Sequence, residues 1–193
     1  MTGTSSGAEG GLRGLRDRPF ELLKELEKRS RGNANAGVAA DGSAGQEWVG
    51  IAFKMGGETF LVAREETREV LGFPAVLTRI PGAKPWVKGL ANIRGQLLPM
   101  LDLRQFLGSG PTNLGRNTRI VVANHRDIPA GLMVDEVLGF RRFAEAEFNA
   151  EAPPTVVRCD NYLAGAFRRG GDVWPVLSLK SLVESQSFLQ AAG

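Results

Sequence analysis

The 193-residue sequence has little of the chemistry that most enzymes and metal sites require. It contains one cysteine, Cys159, and one histidine, His125. A single cysteine excludes a disulfide within the chain, and one cysteine with one histidine cannot complete a Cys/His zinc site. A Ser-His-Asp mechanism would have to use His125, which follows an apolar run and reads as a turn residue. We therefore expect no metal, no cofactor and no catalytic residues.

The sequence also lacks a long hydrophobic run and a strong charge of one sign. No stretch of about 18 apolar residues is present, so we expect no membrane-spanning helix. The first residues, MTGTSSGAEGG, lack the apolar segment of a secretory signal. Lys and Arg total 24 and Asp and Glu total 21, a difference of three, which is a small basic surplus. These features predict a cytoplasmic protein with no direct membrane insertion.

Composition divides the chain near residue 46. Residues 1–46 hold nine of the 25 glycines and one aromatic residue, which predicts a flexible extension without a core of its own. A short helix is possible over residues 18–31, because Phe20 and the three leucines after it follow a near-helical spacing. Two interpretations of this helix stay open: it frays in isolation, or it docks on a partner or on the folded part.

From residue 47 onward the pattern predicts a mainly β fold of short strands joined by tight turns. The turns over Met55–Glu58, Arg94-Gly95 and Arg168–Asp172 contain the glycines typical of β-hairpins. Short helices are expected between the strands, at residues 64–71, 103–107 and 179–189.

An internal duplication is visible in the sequence. The pentapeptide Glu69–Phe73 recurs as Glu136–Phe140, at an offset of 67 residues. A second match, at an offset of 76, aligns Gly89 and the segment after it with Gly165 and its following segment. The offsets differ by nine residues, so we expect an insertion between Phe140 and Gly165. The chain thus contains two similar β-units, about 47–108 and 118–184, and terminal strands can exchange between them.

Two equivalent positions of the duplicated units carry residues that cap helices. Asp102 precedes the first predicted short helix, and Ser178 occupies the same place in the second unit. Both side chains accept hydrogen bonds from free backbone N–H groups at a helix start. Because the two positions match, we interpret Asp102 as a structural cap rather than a catalytic acid.

The segment from Trp86 to Arg104, WVKGLANIRGQLLPMLDLR, resembles the signature of CheW-like chemotaxis coupling proteins. The similarity runs from about Glu47 to Val183, and we expect the CheW-like domain to span residues 47–187. The resemblance implies two small SH3-like five-stranded β-barrels. It also implies an adaptor without chemistry of its own, which joins the cytoplasmic tip of a methyl-accepting chemoreceptor to the regulatory domain of a CheA-type histidine kinase.

The N-terminal extension, with RPFELLKELEKRSR, and the signature together resemble the PilI-type branch of this family. That branch serves a chemosensory system for type IV pilus twitching motility. The resemblance implies a cytoplasmic protein that associates with the inner membrane through receptor arrays.

The expected partner-binding residues come mainly from the resemblance. It implies that Arg94 pairs with Glu69 near the receptor-docking region, with Gly95 and Val87 in the same signature. Trp174 is added because it replaces the smaller Leu98 of the first unit, and exposed aromatic residues are frequent hot spots at interfaces.

A nucleic-acid-binding module is the alternative, because small β-barrels often bind RNA or DNA and the sequence pI is about 9.3. The charge distribution argues against it. The basic doublets after residue 46 are Arg141-Arg142 and Arg168-Arg169, and they form no basic stripe interleaved with aromatic residues.

Overall fold

The computed structural model describes residues 47–191, and the possible helix at 18–31 lies outside them. The described chain contains eleven strands and three short helices. The strands of the first half are β1 (Glu47–Met55), β2 (Glu58–Ala63), β3 (Thr67–Gly72), β4 (Val87–Ile93) and β5 (Gln96–Asp102). Those of the second half are β6 (Arg119–Ala123), β7 (Gly131–Val134), β8 (Glu136–Ala144), β9 (Phe148–Asn149), β10 (Leu163–Arg169) and β11 (Asp172–Leu177). The helices are α1 (Leu103–Phe106), α2 (Leu179–Val183) and α3 (Gln186–Leu189).

The strands form two small sheets, as predicted for a mainly β fold. A six-stranded sheet has the order β8-β1-β2-β11-β10-β9, and a five-stranded sheet has the order β3-β6-β7-β5-β4. The sixth strand of the larger sheet is the two-residue β9, which pairs with β10. It follows β8 through a 3₁₀ turn at Glu145–Glu147 and brings the two ends of this sheet together.

Sheet membership does not follow the sequence repeat. Strands β3, β4 and β5 of the first unit correspond to β8, β10 and β11 of the second. The first set shares its sheet with the β6–β7 hairpin of the second unit, and the second set shares its sheet with the β1–β2 hairpin of the first unit. The two units thus exchange hairpins. Parallel pairs join the two contributions, β11 with β2 and β5 with β7. Each parallel pairing starts at the residue after a proline, at Met100 and Val176, because Pro99 and Pro175 cannot donate a ladder hydrogen bond.

The exchange of hairpins produces three hydrophobic cores. Each sheet has a small core of its own, centred on Ile120 and Met133 in the five-stranded sheet and on Leu61 and Phe167 in the six-stranded one. The third and largest core lies between the sheets and takes residues from both, together with side chains of the short helices. The two sheets therefore share one buried interface.

Two glycines at equivalent positions of the predicted repeat have the same backbone geometry. Gly89 and Gly165 have φ values of 142° and 146°, and both follow a β-bulge. A Cβ atom at Gly89 would lie 2.5 Å from the Thr78 carbonyl oxygen, and one at Gly165 would lie 2.5 Å from that of Asn149. Thr78 and Asn149 are thus counterparts, at an offset of 71 residues. This value lies between the offsets of 67 and 76 given by the two sequence matches. Four of the nine inserted residues therefore precede Asn149, and five follow it.

One predicted helix is wrong. The segment 64–71 forms a 3₁₀ turn at Arg64–Glu66 and then strand β3. Pairing of Val70 with Val121 and of Leu71 with Ile120 in β6 overrides the helical spacing of the local sequence. The predicted helix at 179–189 is divided, because Ser185 caps α3 by accepting the N–H of Phe188.

The buried carboxylate of Asp102 organises the end of the first unit. It accepts hydrogen bonds from the N–H of Gln105 at 3.1 Å, the N–H of Thr112 at 3.0 Å and the Thr112 hydroxyl at 2.8 Å. The ammonium group of Lys88 lies 3.3 Å away. Ser178 caps α2 in the same way through the N–H of Ser181, so both predicted caps are confirmed.

Replacing Asp102 with Ala should lower the free energy of unfolding by about 3 kcal/mol, since it removes the counter-ion of Lys88 and leaves the buried N–H and hydroxyl groups of Thr112 without their acceptor. Ser178→Ala is the matched control, for which the loss of a cap and of one hydrogen bond to Glu66 predicts about 1.5 kcal/mol. Urea unfolding followed by circular dichroism measures both values. Equal losses in the two variants would contradict the role assigned to the buried charge.

Candidate functional site

The tip of the β4–β5 hairpin brings three of the predicted site residues together. Arg94 and Gly95 form its two-residue turn, with φ values of 50° and 83°. The Arg94 guanidinium lies 3.1 Å from the Glu69 carboxylate on β3, which is the predicted pair. The Arg94 side chain is 78% exposed and that of Glu69 is 20% exposed. The guanidinium is therefore held on one side and open to a partner on the other.

A second contact ties the same two elements. The Arg68 guanidinium donates to the side-chain oxygen of Gln96 at 3.2 Å. Strand β3 and the β4–β5 hairpin stand at opposite sides of the five-stranded order, so these side chains link β3 to the tip of that hairpin. The result is a small cavity of about 130 Å³ beneath the tip, lined by Arg68, Glu69, Ile93, Arg94, Gln96, Leu98 and Val122.

The other two predicted residues lie elsewhere. Val87 begins β4, about 20 Å along the strand from Arg94, and lines an apolar cavity of about 320 Å³ with Trp86 and Phe188. Trp174 belongs to the six-stranded sheet and is half-buried, with its ring 6.0 Å from that of Phe143. It packs against the core of that sheet and is only partly exposed, and its role in partner binding stays a prediction.

A groove formed by two adjoining cavities runs past the junction of the sheets. One cavity, of about 420 Å³, has an aromatic wall that includes Trp48, Phe148 and Phe167. The other, of about 380 Å³, is polar and includes His125, Arg126 and Lys180. Both are lined by Glu65 and Glu66 of the 3₁₀ turn between β2 and β3.

Side chains tie the two sheets together along this groove. Glu66 accepts a hydrogen bond from the Ser178 hydroxyl at 3.0 Å and from the Lys180 N–H at 3.2 Å. Asn124, which follows β6, donates its side-chain amide to the carbonyl oxygen of Glu65 at 2.8 Å. Sequence reasoning missed these acidic residues because it assigned them to a helix. The adjacent Glu65-Glu66 pair just before the repeated pentapeptide was the available signal.

Comparison with known proteins gives a consistent result. The family model described as the CheW-like domain matches residues 49–187. The chain belongs to the CheW-like family. Protein PilI of Pseudomonas aeruginosa is 42% identical over 90% of this chain and 96% of that protein, and this similarity confirms the predicted PilI-type branch.

Two further proteins agree with membership of the CheW-like family, one by sequence and one by fold. Protein FrzA of Myxococcus xanthus is 34% identical over 57% of this chain and 67% of that protein. The crystal structure of the scaffolding protein TtCheW from Thermoanaerobacter tengcongensis matches with a TM-score of 0.64 and 22% identity. It covers 74% of this chain and 96% of that one, and it confirms the CheW-like fold.

The single histidine of this CheW-like protein is hydrogen-bonded to its neighbours, and the single cysteine is buried. The Nδ1 atom of His125 accepts the N–H groups of Asp127 at 3.3 Å and Ile128 at 3.1 Å, so Nε2 carries the proton and donates to Glu184 at 3.1 Å. Cys159 is buried beside Thr155, and burial raises the pKa of its thiol. A raised pKa disfavours the reactive thiolate.

Two kinds of feature are absent from the described residues. Among residues 47–191, no three His, Cys, Asp or Glu side chains are grouped so that they could hold a metal ion. No helix in that range is long and apolar enough to cross a membrane. Family membership indicates no catalytic activity.

The second hairpin tip of the CheW-like fold is held by a different ion pair. Arg169, before Gly170 at the β10–β11 turn, donates through Nε to Glu147 at 2.6 Å, and its guanidinium lies 4.5 Å from the centre of the Phe143 ring. This hydrogen bond, with that from the Ala144 N–H, lowers the pKa of the Glu147 carboxyl from 4.5 to about 2. The pair therefore stays ionised well into acid.

A lowered pKa in the folded state means that this pair contributes stability above pH 4.5 and loses that contribution as the pH falls towards 2. We expect NMR titration of the side-chain carboxyl carbons to show Glu147 with a midpoint of about 2. In Arg169→Gln the midpoint should return towards the ordinary value of 4.5. A Glu147 midpoint that does not move in the variant would contradict the assignment.

Proposed function

We propose that this CheW-like protein is a non-enzymatic adaptor that couples methyl-accepting chemoreceptors to a CheA-type histidine kinase. The observation that carries the proposal is the exposed guanidinium of Arg94, held by Glu69 at the tip of a hairpin on a rigid sheet. A planar guanidinium binds a carboxylate through two hydrogen bonds, which a lysine ammonium group cannot reproduce. Such a group is suited to recognition rather than to catalysis.

The receptor's cytoplasmic hairpin docks in the groove between the sheets and reaches the Arg94 tip. Two features support this part of the proposal. The aromatic wall of the groove, with Trp48 and Phe148, can accept apolar side chains of a helix. The 3₁₀ turn that lines the groove continues directly into β3, which carries Glu69, so the groove and the tip share one element.

The second partner is the kinase regulatory domain, which pairs with this protein barrel to barrel. Support comes from the resemblance stated above, in which that domain is itself CheW-like. Two domains of the same architecture can present matching surfaces to each other. In this proposal a barrel surface contacts the kinase regulatory domain, and the groove between the sheets binds the receptor hairpin.

The output we propose is type IV pilus twitching motility, with the protein in the cytoplasm at receptor arrays of the inner membrane. Support comes from the 42% identity with Protein PilI, which extends over 96% of that protein. The similarity to Protein FrzA is lower and covers a smaller part of both chains.

The arrangement of the arginines disfavours nucleic-acid binding. One arginine of each basic doublet is occupied by a carboxylate: Arg142 lies 2.9 Å from Glu47, and Arg169 is bonded to Glu147. Phosphate binding needs several cations free along one surface.

The test is calorimetric titration of the full chain with two probes: a CheA-type kinase regulatory domain and a receptor cytoplasmic hairpin fragment from the same organism. Arg94→Asp should weaken receptor-fragment binding at least tenfold, since it removes a central arginine and repels a carboxylate. Circular dichroism checks that the variant stays folded.

Arg142→Asp is the matched control, because it alters an exposed Arg–Glu pair on the other sheet. It should leave receptor-fragment binding within about twofold of the unmodified chain, as a rim charge does. The proposed function would be overturned if the unmodified chain failed to bind the kinase regulatory domain or failed to bind the receptor fragment. If Arg94→Asp and Arg142→Asp changed the affinity for the receptor fragment equally, the binding site proposed at Arg94 would be refuted.

A further inference from the structure

Three hairpins of this protein have the same two-residue turn. Two of these turns consist of two glycines, and the third has arginine in place of the first glycine. The tips at Gly56-Gly57 and Gly170-Gly171 have φ values of 64° and 88°, and of 59° and 89°. The tip at Arg94-Gly95 has 50° and 83°. Two positive φ values define a type I′ turn, which normally takes glycine or asparagine. A side chain other than these costs about 1–2 kcal/mol in that conformation.

Of these three hairpin tips, only the one with Arg94 carries this cost, and the same hairpin has a hydrogen bond that the other two lack. The side-chain oxygen of Asn92 accepts the N–H of Gly95 at 2.8 Å. The matching positions of the other two hairpins, two residues before the turn, are Lys54 and Arg168. Neither side chain has an acceptor atom, so neither can make this bond.

The bond holds the backbone of the residue that follows Arg94 in the turn. With Gly95 held to Asn92, the guanidinium reaches Glu69 at 3.1 Å. At the tip of the β10–β11 hairpin the position of Arg94 is taken by Gly170, and no side chain leaves the turn there. Asn92 and Arg94 thus occur together in one hairpin and are both absent from its counterpart.

We propose that Asn92 is a positioning residue, which holds the strained Arg94 turn so that the guanidinium is presented to the partner's carboxylate. This inference rests on the proposed function for the identity of the partner. The hydrogen bond to Gly95 and its effect on the turn stand independently of that partner.

Four variants of the full chain test this inference. Asn92→Ala removes the acceptor, and Asn92→Asp keeps an oxygen in the same place. Arg94→Gly gives this turn the two glycines found in the other hairpins. The double variant Asn92→Ala/Arg94→Gly tests whether the effect of Asn92 on binding depends on Arg94. The probe is the chemoreceptor cytoplasmic hairpin fragment, with all variants shown to be folded by circular dichroism.

Asn92→Ala should weaken binding of the fragment about tenfold in the otherwise unmodified chain and less than twofold in the Arg94→Gly background. Asn92→Asp should bind within about threefold of the unmodified chain. The inference is overturned if Asn92→Ala costs the same in both backgrounds, or if Asn92→Asp is as weak as Asn92→Ala. A general loss of structure would lower binding in both backgrounds.

A second measurement separates this inference from the proposed function. Hydrogen exchange of the Gly95 amide, followed by NMR, needs no partner and should accelerate at least tenfold in Asn92→Ala. If the fragment does not bind the unmodified chain, the proposed function fails and the amide measurement still decides on Asn92. Unchanged exchange at Gly95 would refute the role of Asn92 whatever the fragment does.

Discussion

The exchange of hairpins between the two sheets is the constraint on which the rest of this structure depends. Strand β2 pairs in parallel with β11, and β7 with β5, so each sheet is complete only with strands from both halves of the chain. The crossing from β2 to β3 occurs at Arg64–Glu66, where the groove is lined by two glutamates. The groove and the charged tip are consequences of this crossing.

The two halves keep the same backbone but differ in the polar groups at equivalent positions. The cap of α1 is a buried aspartate with a lysine beside it, while the cap of α2 is Ser178, tied to Glu66 across the groove. The tip that carries Arg94 has a glycine counterpart at Gly170. Equivalent positions of the two halves thus carry different polar groups: a buried charge in one cap and a hydroxyl in the other, an arginine at one tip and a glycine at the other.

The sequence predicted hairpins and caps well, because these depend on local rules. Glycine pairs at the turns and the capping residues Asp102 and Ser178 act within a few residues of their own position. The signature around Arg94 also predicted its partner Glu69, through resemblance to the family. Segment 64–71 was misread because its strand is imposed by β6, whose paired residues lie about fifty positions further along the chain. The half-buried position of Trp174 likewise depends on Phe143, from another strand.

The shared core between the sheets has a consequence for the origin of such a chain. A single unit of this kind would carry a hairpin with no sheet of its own to join, and a second copy could accept it. Two such copies would form a domain-swapped homodimer with the strand orders seen here. The segment 108–118, between the two units, is then the covalent link that turns a symmetric pair into one polypeptide, after which each half was free to diverge.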